Sequence, residues 1–183
     1  CGYLPTGIAW YRKTIEVPKT WKGKQVAIEF DGVFRNSTVW ANGKELGHRP
    51  YGWISFGYDI SDIVKDSDTI TFAVRVDNKD QHAARWYTGS GIYAHAWINV
   101  REPIHIPTSG IWLRTKGSTV SIDTEVVNKT KGAEKCMVKT TFFDAEGKAV
   151  AAQESPILIK SGETATVAQT LEISNPNRWS PES

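Results

Sequence analysis

The stretch Thr69-Ile-Thr-Phe-Ala-Val-Arg-Val76 decides the fold class. Its apolar residues, from Ile70 to Val76, occupy every second position, which is the period of a strand with one buried face. Similar short runs rich in β-branched and aromatic residues recur at positions 10–17, 25–30, 38–41, 54–58 and 94–100. Turn residues separate these runs, and helical periodicity is hard to find. The sequence therefore predicts an all-β protein.

The dipeptide Asn42-Gly43 predicts a tight hairpin directly after the run at 38–41. A two-residue type I′ turn needs positive φ at both central positions, and Asn followed by Gly adopts this conformation most readily. Residues 59–64 are the exception to the strand pattern, and we interpret them as one short helical turn.

The second half of the chain has less aromatic strands, predicted at 111–115, 120–128, 136–143, 149–159 and 164–173. Pro103 and Pro107 bracket Ile104-His105-Ile106, which we interpret as a connector between two domains. The boundaries are thus 1–102 and 103–183. About five evenly spaced strands in the second domain are typical of an immunoglobulin-like sandwich that lacks one or two strands.

Composition excludes several classes of partner. The chain has 183 residues and a net charge of +2 from interspersed charges, so it gives no electrostatic reason to expect nucleic acid or an anionic membrane. No apolar run reaches the roughly 18 residues that span a bilayer. The four histidines lack the spacing of metal ligands, and we expect no metal or cofactor. Eight tryptophans are present, and we expect most of them in sandwich cores.

Residues 77–93 form a long segment without a period. Loops of this length are uncommon inside a compact domain and are usually functional or disordered. Because the segment holds Trp86, Tyr87, Ile92 and Tyr93, we predict an ordered loop that its aromatic residues hold in place. Gly89 and Gly91 are expected to supply positive φ or a close approach where the loop returns to a strand.

Several segments, taken in order, resemble the N-terminal half of family 2 glycoside hydrolases, the group of β-galactosidases, β-glucuronidases and β-mannosidases. Each segment alone is weakly specific, but their order and spacing cover nearly the whole chain. The resemblance is strongest to the β-galactosidase branch. The matching segments are GIAWYRK (7–13), FDGV (30–33), VWANG (39–43), LG (46–47), FGYDI (56–60), VRVDN (74–78), RWYTGSGIY (85–93) and RWSP (178–181).

This resemblance implies a modular enzyme. A jelly-roll sugar-binding domain at 1–102, truncated at its N-terminus, would precede an immunoglobulin-like domain at 103–183, truncated at its C-terminus. A (β/α)₈ barrel with two catalytic glutamates would follow outside this chain, so no catalytic residue is expected here. Such enzymes retain anomeric configuration. The implied partners are a β-galactoside-like carbohydrate and the barrel; the oligomeric state stays open. Export to the periplasm or beyond is favoured over the cytoplasm.

The resemblance also selects candidate substrate-binding residues, Arg85 and Trp86. The residue at the Arg85 position of the family reaches toward the sugar, and many relatives carry a carboxylate where this chain has arginine. A guanidinium can hold sugar hydroxyls or pair with a barrel carboxylate; alternatively, Arg85 stacks on Trp86 or Tyr87 and locks the loop. Trp86 offers a ring face to a pyranose or anchors the loop. Ala94 departs from the family pattern, which often has a basic residue there.

A second class of function stays open beside this one. A free-standing carbohydrate-binding or adhesion module would also combine a jelly roll with aromatic side chains, and fold alone does not fix function. The second domain alone also fits a structural spacer. A true binding module should hold oligosaccharides by itself, whereas one wall of a larger active site should hardly bind them.

Overall fold

The structure is a computed structural model that describes residues 7–80 and 88–181. Alternating apolar side chains build its first unit. The chain divides into two units, Cys1–Glu102 and Pro103–Ser183, each described here by itself. The elements of the first unit are β1 (Ile8–Glu16), β2 (Gln25–Phe30), β3 (Val33–Phe34), β4 (Ser37–Ala41), β5 (Lys44–Arg49), β6 (Phe56–Asp59), α1 (Ser61–Asp66), β7 (Thr69–Asp77), β8 (Gly91–Ile92) and β9 (Ala96–Arg101).

Two antiparallel sheets form the sandwich of the first unit. One has the strand order β1-β7-β4-β5 and the other the order β6-β2-β9, while β3 and β8 pair separately. The alternation that predicts β7 is confirmed, because Ile70, Phe72, Val74 and Val76 all lie in the buried core. Their partners from β2 include Phe30, whose ring stacks on Phe56 with 5.2 Å between centroids.

The predicted hairpin turn at Asn42-Gly43 is confirmed. The φ angles are 47° at Asn42 and 80° at Gly43, and β4 pairs with β5 across the turn. The Asn42 side chain adds a link to the neighbouring strand, because its Oδ1 accepts a 2.8 Å hydrogen bond from the backbone N–H of Thr71. The turn therefore fixes both the hairpin and its position beside β7.

The second unit contains β10 (Ile104–His105), β11 (Ile111–Lys116), β12 (Thr119–Asn128), β13 (Glu134–Phe143), β14 (Ala149–Ile159) and β15 (Thr164–Glu172). Strand β12 pairs with β15 on one side and with β11 and β10 on the other, while β13 pairs with β14. The predicted fold class is confirmed: a jelly-roll sandwich followed by an immunoglobulin-like sandwich.

The connector predicted at 104–106 is wrong in one respect. Ile104 and His105 form β10, which pairs with Val127 and Asn128 of β12, so these residues belong to a sheet of the second unit. Two prolines around three residues suggested a linker because proline removes a backbone donor. The segment between them is still long enough to form a short edge strand, since an edge needs partners on one side only.

A buried amide joins the two sheets of the second unit. Gln169, on β15, is 2% exposed. Its Nε2 donates to the carbonyl oxygen of Val138 at 3.2 Å and to Oγ of Ser155 at 3.0 Å, and its Oε1 accepts from Oγ1 of Thr140 at 2.6 Å. Buried polar groups need such partners, and here one side chain on β15 finds them on β13 and β14.

Candidate functional site

Asn78 holds together the two described ends of the long loop. It directly follows β7 and is 1% exposed. Its backbone N–H donates to the carbonyl oxygen of Gly7 at 2.9 Å, and its side-chain Nδ2 donates to the carbonyl oxygen of Gly89 at 3.3 Å. Because one buried residue contacts both the start of β1 and the far end of the loop, the loop begins and ends at the same place on the sandwich.

The turn at Arg35 and Asn36, directly after β3, is hydrogen-bonded to the start of the loop. Nη2 of Arg35 donates to the carbonyl oxygen of Asp80 at 3.2 Å, and Nδ2 of Asn36 donates to that of Asp77 at 3.2 Å. In return the backbone N–H of Asp77 donates to the carbonyl oxygen of Arg35 at 3.2 Å. The loop entrance is thus tied by hydrogen bonds to a turn about 45 residues away in sequence.

A charged pair reinforces the same entrance. Oδ2 of Asp77 accepts a hydrogen bond from Nη2 of Arg75 at 2.8 Å. Burial alone would raise the pKa of Asp77, but the backbone N–H of Lys79 and the Arg75 guanidinium outweigh it and hold that pKa below its ordinary value. Asp77 is therefore ionised at neutral pH and accepts hydrogen bonds only.

The other side of the loop returns through glycines in the conformation that the sequence predicts. The φ angles are 72° at Gly89 and 94° at Gly91. Gly91 pairs with Phe34 between β8 and β3. A Cβ atom at Gly91 would collide with the hydroxyl oxygen of Tyr11. Positive φ and a close approach both apply at this position, so the prediction is confirmed.

Three aromatic rings in mutual contact, tilted against one another, lie beside the loop return. Trp53 contacts Phe34 with 5.0 Å between ring centroids and Tyr93 with 5.7 Å. The hydroxyl of Tyr93 donates to the carbonyl oxygen of Gly52 at 2.9 Å, which fixes the ring. Trp53 is 50% exposed and Tyr93 is 48% exposed. The side chains therefore present ordered aromatic surface at the end of the sandwich that carries the loop.

The expectation that most tryptophans lie in the core is wrong for the described part of the chain. Trp97, for example, lies on the surface, where its Nε1 donates to Oδ2 of Asp31 at 2.9 Å and its ring packs on His95. None of the described tryptophans is buried: Trp21 and Trp40 are half-buried, and Trp10, Trp53, Trp97, Trp112 and Trp179 are exposed.

The two predicted substrate-binding residues, Arg85 and Trp86, lie outside the described residues, so their roles stay predictions. Sequence reasoning missed Asn36 and Trp53. Both lie far from the loop in sequence, and the fold brings Asn36 to Asp77 and Trp53 to Tyr93. The signal that could have found Trp53 is the Tyr51-Gly52-Trp53 run just before β6, where two aromatic residues flank a turn glycine.

Within residues 7–80 and 88–181, no group of three or more His, Cys, Asp or Glu side chains is placed to hold a metal ion. No helix in these ranges is long and apolar enough to cross a membrane.

Family models define the class of protein. Residues 3–99 match the sugar-binding domain of glycosyl hydrolases family 2, and residues 104–183 match a second model described as glycosyl hydrolases family 2. Together the two matches cover nearly the whole chain. The chain belongs to glycoside hydrolase family 2, and it corresponds to the family's N-terminal region.

Among curated proteins, the chain is 40% identical to a β-galactosidase from Bacteroides ovatus, covering 97% of this chain and 22% of the relative. It is also 40% identical to a Formosa agariphila protein provisionally assigned as a β-glucuronidase, covering 100% of this chain and 17% of that relative. The chain thus spans about a fifth of the length of these curated relatives.

Solved structures give the same relationship. A glycosyl hydrolase family 2 member from Bacteroides cellulosilyticus matches with a TM-score of 0.89 and 32% identity over 95% of this chain and 24% of its own. A β-glycosidase from Bacteroides vulgatus matches with a TM-score of 0.82 and 37% identity over 100% of this chain and 23% of its own.

Proposed function

We propose that the chain is a non-catalytic part of a retaining glycosidase of the β-galactosidase type, which hydrolyses terminal β-linked sugars in carbohydrate catabolism. In this proposal a (β/α)₈ barrel outside residues 1–183 carries both catalytic glutamates. The first unit completes one wall of the substrate pocket, and the second unit is a rigid spacer. The 40% identity to a β-galactosidase of about five times the length supports this assignment.

The carboxylates of the described residues support the assignment of catalysis to another part of the enzyme. Retaining glycosidases use two carboxyl groups about 5–5.5 Å apart, and a pocket must separate their pKa values so that one acts as an acid. No aspartate or glutamate side chain in residues 7–80 and 88–181 is buried. Among the half-buried carboxylates, Glu29, Asp77 and Asp123 each pair with an arginine rather than with a second carboxylate.

The observation that carries the proposed pocket wall is the anchoring of the loop that holds Arg85 and Trp86. Asn78 joins its two ends, and the Arg35-Asn36 turn binds its entrance. These hydrogen bonds fix where the segment that holds Arg85 and Trp86 leaves and rejoins the sandwich. In this proposal the Arg85 guanidinium donates to sugar hydroxyls or pairs with a barrel carboxylate, and Trp86 packs against a pyranose face.

An assay of the purified chain tests the proposed function directly. We expect no turnover of p-nitrophenyl β-galactoside or β-glucuronide by residues 1–183, because the reacting carboxyl groups lie elsewhere. The parent enzyme should cleave the galactoside, and faster than the glucuronide. Turnover by the isolated chain would overturn the placement of catalysis, and faster cleavage of the glucuronide would overturn the substrate class.

Substitution of Arg85 tests the pocket wall. In the parent enzyme, Arg85→Ala should lower kcat/KM by about 10- to 100-fold, because a charge-assisted hydrogen bond contributes roughly 1.5–3 kcal/mol. The matched control is Arg114→Ala, which removes an exposed arginine that pairs with Asp123 on the second unit. Equal activity of the two variants would show that Arg85 only locks its own loop.

The exposed rings of Trp53 and Tyr93 favour a second candidate, a free-standing carbohydrate-binding module. Isothermal titration of the chain with a panel of galactosides separates the two functions. A pocket wall is expected to give no saturable heat, because most contacts to the sugar would come from the barrel. Saturable binding with a dissociation constant in the micromolar range would favour the binding module instead.

A further inference from the structure

An exposed aromatic surface lies where the long loop returns to the sandwich of the first unit. Phe34 is buried at its base, and Trp53 packs on both Phe34 and Tyr93. Trp53 and Tyr93 each keep about half of their surface open to solvent, and Tyr51, two residues before Trp53, is exposed as well. Several aromatic residues exposed together indicate a binding surface, whereas single exposed apolar residues are ordinary.

Two glycines let these rings lie directly against the backbone. A Cβ atom at Gly52 would collide with the ring of Phe34, and a Cβ atom at Gly32 would collide with the ring of Tyr93. Both glycines are buried. Because there is no space between the rings and these two backbone segments, the rings have little freedom to turn. The aromatic surface is therefore ordered before any ligand arrives.

The chain segment between β5 and β6 is hydrogen-bonded near both ends of the loop. At the entrance, the carbonyl oxygen of Pro50 accepts from the backbone N–H of Asn36 at 3.2 Å, and the side chain of Asn36 binds Asp77. At the return, the carbonyl oxygen of Gly52 accepts from the hydroxyl of Tyr93 at 2.9 Å. The aromatic surface thus has a fixed position beside the points where the loop leaves and rejoins the sandwich.

The chemistry of this surface fits a pyranose ring, which has apolar C–H faces and a polar edge of hydroxyl groups. Binding sites for small ligands combine aromatic surface with a few fixed polar groups. On one side, the guanidinium carbon of Arg35 lies 5.9 Å from the ring centroid of Phe34. On the other side, the carboxylate of Asp31 directly precedes Gly32, against which Tyr93 packs. Ordered rings also lose little side-chain entropy when a ligand binds.

We propose that Trp53 and Tyr93 bind the leaving-group sugar, which is the second residue of a β-galactoside chain. This inference rests on the proposed function, in which the barrel and the loop that holds Arg85 enclose the terminal sugar. A chain that is cut at its terminal sugar must extend out of the pocket past the rim. The rings lie beside the return of that loop, so the second sugar packs one of its C–H faces on them. They set the preference for saccharide leaving groups and do not touch the reacting bond.

Two kinds of substrate with the same galactosyl group test the proposal on the parent enzyme. The first is the disaccharide that the enzyme cleaves fastest among lactose, allolactose and β-linked galactobiose, each of which has a sugar as leaving group. The second is β-galactosyl fluoride, whose fluoride leaving group is too small to contact the rings. Trp53→Ala should lower kcat/KM for the disaccharide about 10-fold, because the packing of a ring face is lost. It should change kcat/KM for the fluoride by less than about twofold.

Two control variants accompany this comparison. Trp53→Phe keeps an aromatic face at the same place and should retain most of the activity on the disaccharide. Trp112→Ala removes a tryptophan that is 64% exposed on β11 of the second unit, and it should change neither rate. Turnover of the fluoride at the original rate also shows that each variant is folded, so a loss confined to the disaccharide cannot come from unfolding.

Each alternative result overturns the proposal. An equal loss with both substrates from Trp53→Ala would mean that the rings brace the pocket or pack against the barrel. An unchanged rate with the disaccharide, or a parent enzyme that cleaves the fluoride but none of the disaccharides, would mean that no leaving-group sugar binds there. A parent that cleaves neither kind of substrate would refute the proposed function as well. Turnover of the fluoride therefore distinguishes failure of this proposal alone from failure of the proposed function.

Discussion

Replacing Phe30 with alanine should lower the free energy of unfolding of the first unit by about 3–5 kcal/mol. Phe30 lies on β2, the central strand of the three-stranded sheet, and is 1% exposed. Its ring stacks on Phe56, so truncation would remove buried apolar contacts and leave a cavity in the core. Strands β6 and β9 are hydrogen-bonded to β2, one on each side. We therefore expect these strands not to move inward and fill the cavity.

Urea denaturation, followed by the tryptophan fluorescence of the chain, measures this change. The matched control is Phe143→Ala on the second unit, where the ring is 63% exposed and truncation should change stability by less than about 0.5 kcal/mol. A loss below about 1 kcal/mol for Phe30→Ala would mean that the core tolerates the cavity, contrary to the packing described above.

Gly91→Ala should destabilise the first unit by about 2–5 kcal/mol, from backbone strain and overpacking together. Its φ of 94° is unfavourable for any residue with a Cβ atom, and the added methyl would collide with the hydroxyl of Tyr11. Because Gly91 pairs with Phe34, the damage should reach the loop return and lower the activity of the parent enzyme.

Two further variants separate the causes. Gly89→Ala has a comparable φ of 72°, and no heavy atom of the described residues lies within 4 Å of the new Cβ, so it should show the backbone strain alone. Combining Gly91→Ala with Tyr11→Phe removes the colliding oxygen and should recover part of the loss. If Gly89→Ala and Gly91→Ala destabilise the protein equally, the contact with Tyr11 has no effect.

Most of the strands could be predicted from the sequence, because β-branched and aromatic runs between turn residues mark them locally. The alternation from Ile70 to Val76 and the turn at Asn42-Gly43 need no knowledge of the rest of the fold. The exposure of Trp10 and Trp97 could not be predicted in this way. A strand pattern shows which side chains share a face, but whether that face is covered depends on distant elements.

The candidate site was predictable to a similar degree. The missing period over 77–93 located the loop, and Gly89 and Gly91 were identified from their residue type alone. The residues that anchor it, Arg35, Asn36 and Trp53, come from turns far away in sequence. The pairing of β4 with β7 places Arg35 and Asn36 beside the loop entrance, and the pairing of β3 with β8 places Phe34, on which Trp53 packs, beside the loop return. No local pattern encodes either pairing.

The amide of Gln169 has a mechanical consequence for the second unit. Hydrogen bonds are directional, so Gln169 can satisfy its polar atoms in one alignment of β15 over β13 and β14. Sliding one layer past the other by a single residue would leave that amide unpaired in an apolar interior, at about 1–3 kcal/mol. An interface with only apolar side chains would have no such preference for one alignment. The hydrogen bonds of Gln169 therefore resist sliding of β15 against β13 and β14.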